Sequence, residues 1–94
     1  MRIIGHLDIP GVKTTVFKMD NRVSVKFETG LYEQTFKFRT GAGIDALDDV
    51  QQWVTPALIE QILQGFRQMH ELRVKRVSEW QSTAEAGLPF EEII

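Results

Sequence analysis

Residues 22–39 read RVSVKFETGLYEQTFKFR, and this stretch decides the fold. Val23, Val25 and Phe27 alternate with Arg22, Ser24, Lys26 and Glu28, the period-two signature of a strand with one buried face. Tyr32, Phe36 and Phe38 alternate with Glu33, Thr35, Lys37 and Arg39 in the same way. Thr29-Gly30 between the runs predicts a two-residue hairpin turn, because glycine accepts the positive φ that such turns use.

Working back toward the amino terminus, Ile3 to Ile9 and Val12 to Met19 are rich in β-branched residues and meet at Pro10-Gly11, a type II turn pair. Asp20-Asn21 predicts the remaining turn, since both residues tolerate left-handed backbone. The expectation is a four-stranded antiparallel meander over residues 1–40. Tight turns at all three hairpins set Gly5 opposite Val16, Val16 opposite Val25, Phe27 opposite Tyr32 and Val23 opposite Phe36. The core face then holds Ile3, Leu7, Val16, Val23, Val25, Phe27, Tyr32, Phe36 and Phe38. On the other face Asp8, Lys13 and Glu28 align with alternating sign, and Lys26 stands across from Glu33. A three-residue loop at the second turn would instead bring Phe17 and Met19 into the core.

Downstream, Gly41-Ala42-Gly43 ends the sheet half and Asp45 reads as the N-cap of a short helix over 45–53. Thr55-Pro56 restarts the chain with a capping hydroxyl and a proline suited to the first helical position. Ile59, Ile62, Leu63, Phe66, Met69, His70, Val77 and Trp80 then recur at three- and four-residue spacing, predicting a long amphipathic helix over 56–83. Gly87-Leu88-Pro89 breaks it, leaving a tail within 84–94. The fold class is therefore α+β in a single domain, with the long C-terminal helix packed on one face of the sheet.

Composition narrows the function classes. The chain has 94 residues, 26% of them charged, and its net charge is −2. No apolar run approaches the roughly 20 residues of a membrane span, and residues 1–10 hold no stretch resembling a signal peptide. The absence of cysteine fits a cytoplasmic location and excludes disulfides, thiolate metal sites and a cysteine nucleophile. His6 and His70 fall in no metal-ligand spacing, and His70 within the helical stripe reads as a packed, hydrogen-bonded residue. Gly41-Ala42-Gly43 lacks the lysine and third glycine of a phosphate loop, and Asp45, Asp48 and Asp49 would repel a phosphate there. Ser24, Ser78 and Ser82 carry no nucleophile motif. The reading is a non-enzyme with no metal and no cofactor.

Two surfaces remain. The first forty residues hold seven Lys or Arg against four acids, whereas the rest hold four against nine. In the tight-turn register Arg2, Met19, Arg22 and Lys37 form one outer-face row, with Ile4 and Phe17 in the next and Arg39 beyond. Cations beside an exposed ring suit single-stranded nucleic acid, whose phosphates pair with Lys/Arg and whose bases stack. The layout is similar in shape to some single-stranded nucleic-acid-binding coactivators, a likeness that carries over no residues.

The second surface follows from length. About 28 helical residues at ~1.5 Å each reach ~42 Å, whereas strands of about seven residues span ~23 Å. The helix overruns its sheet, leaving Leu72, Val74, Val77 and Trp80 beyond it. Four apolar residues without a partner in the chain predict an association surface, for a second copy in a homodimer or for another protein. A bend after Gly65, or the tail folding back, is the competing arrangement. A ligand site between sheet and helix would need a cavity that Phe27, Phe36 and Phe66 fill.

Overall fold

The computed structural model describes residues 1–86. Four strands, β1 (Arg2–Ile9), β2 (Val12–Met19), β3 (Arg22–Thr29) and β4 (Tyr32–Arg39), form one antiparallel sheet in the order β1-β2-β3-β4. Two helices follow, α1 (Leu47–Trp53) and α2 (Pro56–Ala86), and both contact the sheet. The expected α+β layout is present. The expected break at Gly87-Leu88-Pro89 and the tail beyond lie outside the described residues; α2 itself runs three residues past the anticipated Thr83.

All three turns are two residues long, and the second hairpin sets Val16 against Val25 as expected. Among the described residues none other than glycine has positive φ, so Asp20-Asn21 turns without the left-handed backbone anticipated for it. The third turn is displaced by one residue. Gly30 (φ 56°) and Leu31 form it, Thr29 joins the ladder opposite Tyr32, and every β3–β4 partner shifts by two positions. Glycine at the first central position with positive φ is the II′ geometry, which matches the strand twist better than a turn begun at Thr29. Val25 accordingly faces Phe36, Val23 faces Phe38, Phe27 faces Gln34, and Lys26 meets Thr35 instead of Glu33. A two-residue shift keeps each side chain on its predicted face.

β1 differs in kind. Its register slips between Ile3 and Gly5, pairing Ile3 with Phe17 and Arg2 with Lys18, while Gly5 keeps Val16. One extra residue reverses the alternation before it. Ile4 therefore packs against the core, and Ile3, expected inside, is 55% exposed.

The core consists of Ile9, Val12, Val16, Val23, Val25, Phe27, Val50, Ile62 and Phe66, with Leu7, Tyr32, Phe36 and Phe38 partly buried around it. α1 supplies a share that the sequence reading assigned to α2 alone. Val50 is fully buried, and Trp53 packs edge-on against Phe36 and Phe38 at centroid distances of 5.3 and 4.9 Å. Leu47 lies so close over β1 that a Cβ at Gly5 would sit 2.5 Å from its Cδ2, so a larger residue there would have to displace the Leu47 side chain. The N-cap of α1 is Ala46, not Asp45. Alanine has no acceptor to offer, and Asp49 Oδ2 instead accepts from the Asp45 and Ala46 amides at 3.0 Å each. Asp45 serves the preceding loop, its Oδ1 accepting from Gly41 N at 2.8 Å.

Candidate association surface

Local chemistry starts α2 as expected. The Thr55 hydroxyl accepts from Leu58 N at 3.2 Å, satisfying an amide that has no partner in the first turn. The stripe of Ile62 and Phe66 is buried on the sheet, flanked by partly buried Leu58, Ile59 and Met69. Between these residues Gln34 on β4 donates from Nε2 to the carbonyl of Ile62 at 2.8 Å. A Cβ at Gly65 would come within 2.9 Å of that same amide. Gly65 is thus a point of close approach, and the helix continues unbroken through it.

Contact with the sheet ends one turn later. The Tyr32 hydroxyl and His70 Nδ1 are 2.9 Å apart, a hydrogen bond whose donor follows the imidazole tautomer. His70 is hydrogen-bonded as expected but exposed instead of packed. Arg73 places its guanidinium 5.9 Å from the centre of the Tyr32 ring. Beyond Arg73 the helix projects past the sheet to Ala86, for roughly 20 Å. The longest principal extent is accordingly 56 Å, against 28 and 19 Å for the others.

Leu72, Val74, Val77 and Trp80 are all exposed on this projection. They do not form one face. At ~100° per residue Leu72 lies about 140° around the helix from Val77, on the far side. Val74 and Val77 instead border a groove whose opposite wall is the β3–β4 turn, with Leu31, Tyr32 and Gln81 completing it. Leu31, 75% exposed, is the participant the sequence reading missed. Its signal was present: an apolar residue at the tip of a tight turn cannot be covered by its own hairpin. Trp80 is 66% exposed on the adjacent part of the stripe. Arg76 lies 5.8 Å from its ring centre and pairs weakly with Glu79 at 3.9 Å, leaving most of the indole open.

The outer sheet face is rearranged relative to expectation. Arg22 stands directly opposite Arg39, and Lys37 stands opposite Ser24 in the row of Phe17, so these three cations and the ring remain neighbours. Arg2 leaves the row, because the slip in β1 carries it to the register position of Lys18, whose Nζ donates to the carbonyl of Asp45 on the helix side. Phe17 is half-buried with Lys26 Nζ 5.4 Å from its ring centre, and Lys26 is held by Glu28 at 3.5 Å. That lysine occupies the place a stacked base would take.

Among the described residues no helix is long and apolar enough to cross a membrane. The chain matches no protein-family model, no curated protein and no solved structure.

Proposed function

We propose that this protein is a small non-enzymatic interaction module that associates through the projecting half of α2. One observation carries the reading: the helix is unbroken through Gly65 and extends sixteen residues past His70 with Val74, Val77 and Trp80 exposed. Isolated helical projections of this length are marginal in water, and most helical stability comes from packing an amphipathic face. Exposed aromatic and aliphatic side chains beside a groove are also the usual anchors of protein interfaces. The partner is a second copy or another protein. A cytoplasmic setting belongs to the same proposal, since a chain without cysteine gains nothing from an oxidising compartment. Sedimentation equilibrium of the full chain tests it. The average mass should rise above that of one chain at high micromolar concentration, and Trp80→Ala should abolish the rise. A clean monomer at that concentration, with the indole shielded from quenchers, would remove the idea.

A second reading rests on the Arg22–Arg39 pair. Like charges directly opposite in a sheet are mildly destabilising, and with Lys37 they form a row suited to the phosphates of a single strand. Labelled single strands titrated at low and high salt test this, with affinity falling steeply as salt rises. No binding at low salt ends it.

A further inference from the structure

Cations are distributed unequally along the strands. Toward the Pro10-Gly11 end the lysines are matched by acids: Lys13 faces Asp8 and Glu28, and Glu28 also holds Lys26 at 3.5 Å. Toward the Asp20-Asn21 end they are not. Arg2 stands opposite Lys18, Arg22 opposite Arg39 and Lys37 opposite Ser24, and like charges set directly opposite are mildly destabilising. Lys18 donates to the carbonyl of Asp45 and keeps two further N–H donors. Five cations without an acid across the ladder are left to an anion from outside the chain.

Apolar surface collects at the same end. Met1, Ile3 and Met19 are all exposed there. Ile3 lies opposite Phe17, and Met19 follows two residues later on the same face. The slip in β1 builds this block, since it turns Ile3 outward while Ile4 fills the core. Beside the block is a cleft of about 300 Å³ lined by Met1, Arg2, Lys18, Met19 and Asp20, with room for a phosphate-sized group between the two cations.

Three features choose among anionic partners. The exposed apolar residues are aliphatic and thioether chains, which offer no ring to a base, and the ring of Phe17 beside them is met by Lys26. The cations lie on both faces of the sheet end, Arg2 and Lys18 toward the helices and Arg22, Lys37 and Arg39 on the outer side. A plane of charge meets both sets together, whereas a single strand threads only one. Finally, residues 41–94 carry four Lys or Arg against nine acids, so an anionic plane draws this end in and holds the rest away.

We propose that this end of the sheet is a peripheral docking site for an anionic phospholipid surface, with Met1, Ile3 and Met19 entering the headgroup layer and the five cations meeting lipid phosphates. Apolar insertion and basic charge are the two signals that together hold a protein at a bilayer without a span. The proposal goes beyond association through α2 and does not depend on it.

Co-sedimentation of the full chain with vesicles tests it, using phosphatidylcholine alone and phosphatidylcholine containing about a third phosphatidylserine, each at low and high salt. The chain should bind the mixed vesicles at low salt, leave them as salt rises and ignore the neutral ones. Arg22→Gln combined with Arg39→Gln should weaken partitioning about 25-fold, near five-fold for each cation removed. Ile3→Ser combined with Met19→Ser should weaken it at least about five-fold without altering its salt dependence. Lys13→Gln, at the matched end, should change it less than about two-fold. Urea unfolding should place every variant near or above the parent, since all these side chains are exposed. Failure to sediment with the anionic vesicles at low salt overturns the proposal, as does binding that either the arginine or the serine pair leaves unchanged. A single-stranded oligonucleotide is the last arm: if it strips the chain from the vesicles and the serine pair does not weaken its own binding, the patch serves nucleic acid instead.

Discussion

Phe66 and Trp80 stand about four turns apart on nearly the same line of one helix, and their environments are opposite. Phe66 is 5% exposed and Trp80 66%. Each is an aromatic at a stripe position, Phe66 between Gly65 and Arg67 and Trp80 between Glu79 and Gln81. What differs is the sheet, whose last contacts with the helix are those of Tyr32 with His70 and Arg73. The pattern specifies that a stripe must be covered, and the length of the strands decides how much of it one chain can cover.

The largest test of that contrast is a pair of truncations. Phe66→Ala should cost about 3–5 kcal/mol at any protein concentration, through lost burial and the cavity left behind. Trp80→Ala should change the stability of the dilute chain by less than about 0.5 kcal/mol. Urea unfolding at low and high protein concentration measures both. A large loss for Trp80→Ala in the monomer would mean that the chain covers its own projection and would erase the distinction between the two halves.

A smaller effect sharpens the boundary within the covered half. Gly→Ala inside a helix ordinarily stabilises by roughly 0.5–1 kcal/mol. At Gly65 the new methyl meets Gln34, which is tied to the Ile62 carbonyl, so the gain should vanish or reverse. Gln34→Ala alone should cost about 0.5–1.5 kcal/mol for its hydrogen bond. In that background Gly65→Ala should recover its gain, a coupling that a double-mutant cycle reads directly. Strict additivity would show that Gln34 does not hold the helix against β4.

Much of this arrangement was legible from residue patterns, and the misses have physical causes. Alternation in residues 22–39 located β3 and β4, and Thr55-Pro56 marked the start of α2, because these signals are local and repeated. The position of the third turn was not, since Thr29-Gly30 and Gly30-Leu31 offer the same glycine to two turn types and differ only in which suits the strand twist. The slip in β1 left no pattern at all. Ile3 and Ile4 are chemically equivalent, and the slip lies beside Gly5, against which Leu47 packs from a helix more than forty residues away. At the surface, the overrun of α2 followed from counting residues. The separation of Leu72 from Val74 and Val77 followed only from placing each on the helix, and Leu31 entered because the hairpin tip turned out to stand beside them.

The slip at Ile4 has a consequence for how copies can meet. β1 is one of the two outer strands of the sheet, and its inner edge partners change step midway. A straight strand from a neighbouring molecule laid along it would match the hydrogen-bond rhythm on one side of Ile4 and lose it on the other. Growth of the sheet into a ribbon of many chains is disfavoured on that side, so the free edge of β1 carries its own protection against open-ended polymerisation.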